Sequence, residues 1–331
     1  MGTTKKTQPH WFPFTWSKRN SPFLRPGDEG FASRNIYEPS VLFDGRTSLM
    51  VFRGEDKAER PTKCVGRLGT GVSLNGIDFD CPSEPALVPD SPFESRGLAH
   101  PRLVLAGGVF ILTYAAYDGA RYRLCLATST DSKNWFRHGP LFPELEDKGL
   151  DVTSGSIIAV PASDGKYYMY VGAGDLYMAS SMDLLNWELQ SKPVLKRKKS
   201  LSFASREINT GPSPFITRHG IVAILNGTDA RYRTRPFAAL FNLEKPGECE
   251  AYLREPFMES EHDWERFGYM TDSISVSGLS LRDDTFHLYY SGADRCMGLA
   301  TAPVPKAYLF GSEESDEETS DTKDKPKICG V

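Results

Sequence analysis

The sequence predicts an all-β chain closed into a five-bladed β-propeller, and three observations carry that reading. First, one pattern occurs five times: a short apolar strand, a Gly or Asp turn, then an alternating aromatic strand. It reads NIYEPSVLFDGRTSLMVFRGED, GLAHPRLVLAGGVFILTYAAYD, VTSGSIIAVPASDGKYYMYVGAGD, NTGPSPFITRHGIVAILNGTD and DSISVSGLSLRDDTFHLYYSGAD. Second, the aligned positions Pro39, Pro101, Ser156, Pro214 and Ser277 recur every 55–63 residues, roughly the length of one four-stranded blade. Third, 29 Gly, 23 Pro and 11% aromatic residues suit many short strands joined by tight turns, and no stretch carries a long amphipathic-helix period. A two-sheet sandwich would leave the fifth repeat unexplained.

Taken in order, residues 1–30 are rich in Pro and aromatics without periodicity, and are expected as an arm packed on the propeller. The propeller is expected over 31–310. After several repeats a second strand pair follows, as in YRLCLATSTDSKNWFRHG and LYMASSMDLLNWELQ. There a strand ends in Ser, an Asp opens a tight turn, and Trp135 or Trp187 starts the outer strand. Residues 311–331 hold an acidic Ser/Thr block with almost nothing apolar, and are expected to be disordered.

Composition narrows the classes. The chain has 331 residues, 40% hydrophobic and 25% charged, as in ordinary globular proteins. A formal charge of −4 gives no reason to expect nucleic acid or an anionic membrane as partner. No apolar run reaches the roughly 18 residues needed to span a bilayer. The beginning MGTTKKTQPHWFPF lacks the apolar core of a secretory signal, and Lys6 stands where an acylation motif wants Ser or Thr. Cys64, Cys81, Cys125, Cys249, Cys296 and Cys329 show no paired spacing, so reduced thiols in a cytoplasmic protein are expected, without disulfide or metal site. Cys329 is out of register for prenylation.

The propeller reading places the candidate site. Residues just before each innermost strand converge at the mouth of the channel, and Pro is tolerated at the first residue of a strand. Glu38-Pro39, His100-Pro101 and Ser213-Pro214 are therefore expected to aim polar side chains into one funnel. Glu38, His100, Asp151 and Asp272 form the expected ring. Arg53, Arg102, Arg121 and Arg123 stand near it, with forks suited to sugar hydroxyls, a carboxylate or a phosphate. Such a funnel suits a polyhydroxylated ligand. Glycosidic cleavage needs an acid for the leaving oxygen and a nucleophile or its base, and an inverting reaction sets these about 6.5–9.5 Å apart. No Gly-rich loop opens a helix, no histidines stand at metal spacing, and SGS at 154–156 lacks a nucleophile elbow, so no cofactor or metal is expected.

Over residues 34–302 the chain resembles glycoside hydrolase family 130, the five-bladed β-mannoside phosphorylases and their hydrolytic relatives. The strongest stretch is RLGTGVSLNGIDFDCPSEPALVPDSPFESRGLAHPRLVLAGGVFILTYAAYDGARYRLCLATSTDSKNW, which looks like that family's second blade. VFRGED resembles its Tyr-Arg-x-Glu, and LYYSGADRCMGLATA its Tyr-Tyr-Gly-Ala-Ala-Asp. The resemblance implies that Arg53 and Asp294 hold a mannosyl unit, that Arg102 holds the site together, and that the position of the general acid is His100. It also implies a phosphate site, but REINTGPSPF offers no Lys and Asn226 stands where the family has His. Arg121, Arg123 and Asn226 are the candidates for phosphate, and His100 or a nearby carboxylate (Glu38, Asp118 or Asp151) is expected to be the acid.

The expected function is inverting cleavage or transfer of β-linked mannosides, with an oligosaccharide or glycoside as partner and inorganic phosphate as a candidate co-substrate. The alternatives are a non-catalytic propeller binding glycans or proteins, a sugar-nucleotide-dependent mannosyltransferase, and a furanosidase of another five-bladed family. The last needs an acid on each of the first three blades, and the second blade offers His100 instead.

Overall fold

The computed structural model describes residues 8–57, 64–143, 145 and 150–309. Five antiparallel sheets stand around one axis. Blade one holds β2 (Asn35–Phe43), β3 (Ser48–Glu55) and β4 (Arg67–Ser73), with Val72 and Asp80 exchanging hydrogen bonds as a vestige of a fourth strand. Blade two holds β5 (Gly97–Ala106), β6 (Val109–Tyr117), β7 (Tyr122–Ser129) and β8 (Phe136–Pro140). Blade three holds β9 (Ser154–Ile157), β10 (Tyr167–Ala173), β11 (Asp175–Ser181) and β12 (Glu188–Leu189). In blade four the inner position is split between β13 (Glu207–Thr210) and β14 (Phe215–Thr217), both paired to β15 (Gly220–Thr228), with β16 (Thr234–Phe241) and β17 (Cys249–Tyr252) outside. Blade five holds β18 (Ile274–Arg282), β19 (Thr285–Gly292) and β20 (Cys296–Pro303). Its outer strand is β1 (Ser17–Lys18), in register Ser17↔Thr301. The five-bladed propeller read from the sequence is the fold.

The repeat has a packing reason. Each pair of neighbouring blades encloses one apolar cluster, so five interfaces give five clusters. That between blades four and five also buries Trp11, Phe12 and Phe14. Residues 8–30 therefore bring apolar side chains to the core as well as a strand to a sheet. The outer-strand turns form as their sequence suggests: Asp131 Oδ1 accepts from the amides of Lys133 and Asn134, and Asp183 Oδ1 from those of Leu185 and Asn186.

The channel is laced from blade to blade by the small polar residues of the repeat. Ser277 Oγ donates to the Pro39 carbonyl, Ser40 Oγ accepts from the Leu103 amide, and Thr113 Oγ1 bonds the Gly155 carbonyl. Ser156 Oγ donates to the Gly211 carbonyl at 2.6 Å, and Asn226 closes the circuit on the Val276 amide and carbonyl. These buried hydroxyls satisfy backbone groups that the inner strands leave unpaired, which explains Ser at the aligned positions. Gly278 lies within this lacing, where a Cβ would come 2.6 Å from the Pro39 carbonyl oxygen. The expected tail at 311–331, Cys329 and Lys6 lie outside the described residues. The other five cysteines are free thiols.

Candidate active site

The funnel is made by bulges. Pairing of β2 with β3 runs from Tyr37↔Arg53 to Ser40↔Val51, and pairing of β5 with β6 from Ala99↔Ala115 to Arg102↔Thr113. Glu38-Pro39 and His100-Pro101 are the extra residues. Here the structure corrects the expected strand starts at Pro39 and Pro101: β2 and β5 begin four residues earlier and run through the prolines. A bulge tolerates Pro because no ladder N–H is wanted there. Glu38 and His100 take left-handed φ values of 56° and 51°, and Asp272 and Asp294 take 54° and 50°. Such a backbone is costly for non-glycine residues, and at Glu38, His100 and Asp294 it accompanies side chains that meet in one cluster. Ser213 goes elsewhere, donating to the Ile157 carbonyl of blade three at 2.6 Å.

Glu38 is the hub. Its Oε2 accepts the His100 amide at 2.7 Å, its Oε1 lies 2.9 Å from His100 Nδ1, and Arg53 Nη1 is 3.9 Å from Oε1. Burial pushes its pKa up, but the charge and hydrogen bonds of His100, with Arg53, outweigh that and bring it down to about 2. Against an ionised Glu38, Nδ1 carries the hydrogen. Nε2 is left without a hydrogen-bond partner among the described residues, on a ring that stays partly exposed and stands 6.4 Å from Tyr122.

Arg53 is fixed on the other side. Its Nη2 donates to Glu55 Oε1 at 2.7 Å, and its guanidinium lies over the Tyr37 ring at 4.9 Å. Glu55 also accepts from Tyr37 Oη and Asn35 Nδ2, both at 2.8 Å. Asp294 completes the cluster. No hydrogen bond or ion pair reaches its carboxyl among the described residues. Burial, helped by Glu38 and opposed by Arg53 and His100, raises its pKa to about 7.

Glu38, His100, Arg53 and Asp294 thus come together. Asp151, Asp118 and Asp272 stay at the rim. Asp151 is exposed and caps the Tyr122 amide at 3.1 Å through Oδ1. Asp118 closes its own turn and pairs with Arg123 at 2.6 Å; that bond, with the turn amides, holds its carboxyl at about 2. Arg121 and Arg123 both belong to this rim. Asp272 lies 3.5 Å from Arg233 and 3.8 Å from Arg235.

Two expected ligands spend their polar atoms on backbone. Arg102 reaches across the channel to the Thr210 and Gly211 carbonyls, both at 2.6 Å, and to the Pro101 carbonyl. Its fork is consumed in joining blade two to blade four. Asn226 is buried and bonded to the Thr210 carbonyl and to Val276. Sequence reasoning passed over Tyr37, Glu55 and Tyr122, although NIYEP and VFRGED already set Tyr37 opposite Arg53 in a hairpin register. The wall on blades three and four is neutral: Asn209 Oδ1 accepts from Thr153 at 2.7 Å and Ser154 at 3.3 Å. An ionised carboxylate–imidazole pair, a neutral carboxyl and an arginine on one side of such a funnel can hold sugar hydroxyls and move a proton.

Comparison with known proteins agrees. A family model described as beta-1,4-mannooligosaccharide phosphorylase matches residues 17–308. The chain is 31% identical over 289 residues to a 1,2-beta-oligomannan phosphorylase of Thermoanaerobacter sp., covering 85% of this chain and 94% of that protein. It is 28% identical over 300 residues to a beta-1,2-mannobiose phosphorylase of the same organism, covering 87% and 96%. A solved structure reported for hydrolases that target beta-1,2 mannosidic linkages in Candida mannan superposes with a TM-score of 0.83 at 26% identity, covering 91% of this chain and 99% of that one.

Proposed function

The chain belongs to glycoside hydrolase family 130, and from that premise we propose that it cleaves β-linked mannosides by inverting displacement with water as the attacking group. The observation that carries this is the Glu38–His100 pair set beside Arg53 and the unpaired Asp294 in one funnel. Arg53 and Asp294 hold the mannosyl hydroxyls. His100, charged against Glu38, gives its Nε2 proton to the glycosidic oxygen as the C–O bond breaks. Water adds at the anomeric carbon, and its proton passes to Asp151, whose Oδ2 is uncommitted among the described residues. Asp151 then releases its proton to solvent and the imidazole regains one, which restores both groups.

Water is favoured over phosphate because the blade three and four wall is built of amides and hydroxyls, while Arg123, Arg233 and Arg235 face carboxylates at 2.6–3.8 Å. An incoming dianion would have to displace those carboxylates. Phosphorolysis, at Arg121 and Arg123, is the second reading, favoured by the two phosphorylase relatives. The test is incubation with β-1,2-mannobiose with and without phosphate. Mannose formed at equal rates in both is expected. Mannose 1-phosphate would assign phosphorolysis, and absence of any product from a panel of β-mannosides would overturn the enzymatic reading.

A further inference from the structure

Beside the funnel lies a groove of about 870 Å³ formed by the arm before blade one, the start of β2, the loop before β18 and the start of β20. Its wall presents Arg25, Arg34, Lys57 and Arg295 with Trp264, Phe267 and Tyr269, and no Asp or Glu. Among the described residues no hydrogen bond or ion pair reaches the guanidinium groups of Arg25, Arg34 or Arg295, and Lys57 Nζ touches only the Asp28 carbonyl, at 3.0 Å. Of the nearby carboxylates, Glu55 is spent on Arg53, Tyr37 and Asn35, and Asp56 on Arg67 at 2.9 Å, while Asp28 and Glu29 are exposed on the arm. In a chain of net charge −4, four cations share one concave surface whose described lining holds no carboxylate.

The groove is built rather than incidental. Lys18, on β1, is buried and paired with Glu265 at 2.9 Å, Tyr290 Oη bonds the same carboxylate at 2.8 Å, and Trp264 Nε1 donates to the Asn20 carbonyl. These contacts fix the loop that carries Trp264, Phe267 and Tyr269. The groove also shares its wall with the funnel. Asn35 lines it and holds Glu55, Arg295 follows Asp294 directly, and Tyr269 lies close enough to act on the Tyr122 phenol. A glycan seated at Arg53 and Asp294 would run naturally into it.

We propose that this groove binds a phosphate carried on the glycan, so that the favoured substrate is a phosphorylated mannoside. Unpaired guanidinium forks match a dianionic phosphate with paired N–H donors, and the aromatic faces suit the sugar bearing it. The inference rests on the mannoside reading for its glycan and on the groove alone for its charge.

The test is calorimetric titration of wild type and of the double variant Arg34→Gln/Arg295→Gln with three probes: β-mannobiose, its 6-phosphate and inorganic phosphate. Wild type should bind the phosphorylated disaccharide about tenfold or more tightly than the neutral one. The double variant should remove that preference while leaving neutral binding, turnover of neutral mannobiose and thermal midpoint unchanged. Raising NaCl from 50 to 500 mM should weaken only the phosphorylated ligand, an independent reading on wild type itself. Equal affinity for both disaccharides, or a preference that survives in the variant, overturns the proposal. Inorganic phosphate binding as tightly as the phosphorylated glycan, with the same loss in the variant, reassigns the groove to free phosphate and overturns it too. A variant-sensitive preference without turnover of any mannoside would sustain the groove and sink the hydrolase.

Discussion

The two halves of the funnel differ in kind. On blades one, two and five, four ionisable side chains and a salt-bridged Glu55 lean on one another over a few ångströms. On blades three and four, Thr153, Ser154, Asn209 and Asn226 exchange hydrogen bonds without a charge among them. In the first half His100 and Arg53 hold Glu38 ionised, with its pKa lowered to about 2, while burial raises that of Asp294 to about 7. The second half spends nearly all its polarity on backbone. In the proposed reaction the charged half supplies the leaving-group proton, Asp151 at the rim of blade three takes the proton of water, and the neutral wall supplies shape.

Substitutions can break that comparison. Arg53→Ala should be the most damaging, since it leaves Glu55 and Glu38 buried beside one another; denaturant titration should show about 3 kcal/mol lost, and activity should vanish. His100→Ala should lower kcat at least about a hundredfold while mannobiose still binds, and an unchanged rate would remove His100 from the mechanism. Asn226→Ala should cost about 2 kcal/mol of stability by orphaning Val276 and yet leave kcat within a few-fold at permissive temperature. A collapse of kcat there would make the neutral half catalytic.

A subtler effect follows from Asp294. Its folded pKa is raised, so ionising it costs folding energy as pH climbs from about 4 through 7. Asp294→Asn should therefore stabilise the protein at pH 8 relative to pH 4, by about 1 kcal/mol once solvent reaching this half-buried group is allowed for. Thermal melts at the two pH values give the answer. Lys166→Ala should do least. Lys166 lines a separate groove of about 740 Å³ with Asp183 and Trp187, at the opposite ends of β10 and β11 from the funnel, and its loss should leave activity and stability within error.

The repeat made the propeller legible because each blade must bury the same two faces, and that obligation writes period-two apolar strands at a fixed interval. The same repeat set Glu38 beside His100, but of the expected ring Asp151 and Asp272 lie at the rim. What the strings NIYEP and GLAHPR did not disclose is the bulge, because a bulge is a property of the partner strand's register as much as of its own residues. Arg102 and Asn226 misled in a related way. Their side chains are those of ligands, but their neighbours in space are carbonyls contributed by chain more than a hundred and about sixteen residues away. The basic groove was invisible for a third reason: its four cations come from three distant segments, and only the closed ring sets them side by side.

That closure has a kinetic corollary. Residue 17 zips onto residue 301 to finish the fifth sheet, with Trp11, Phe12 and Phe14 plugging the seam. A nascent chain would carry this aromatic segment unpartnered until β20 has been made, so the final latch should be the slow step of maturation and the spot where a chaperone is most needed. Clipping the native protein before residue 17 should loosen the latch first, freeing blade five long before the other four let go.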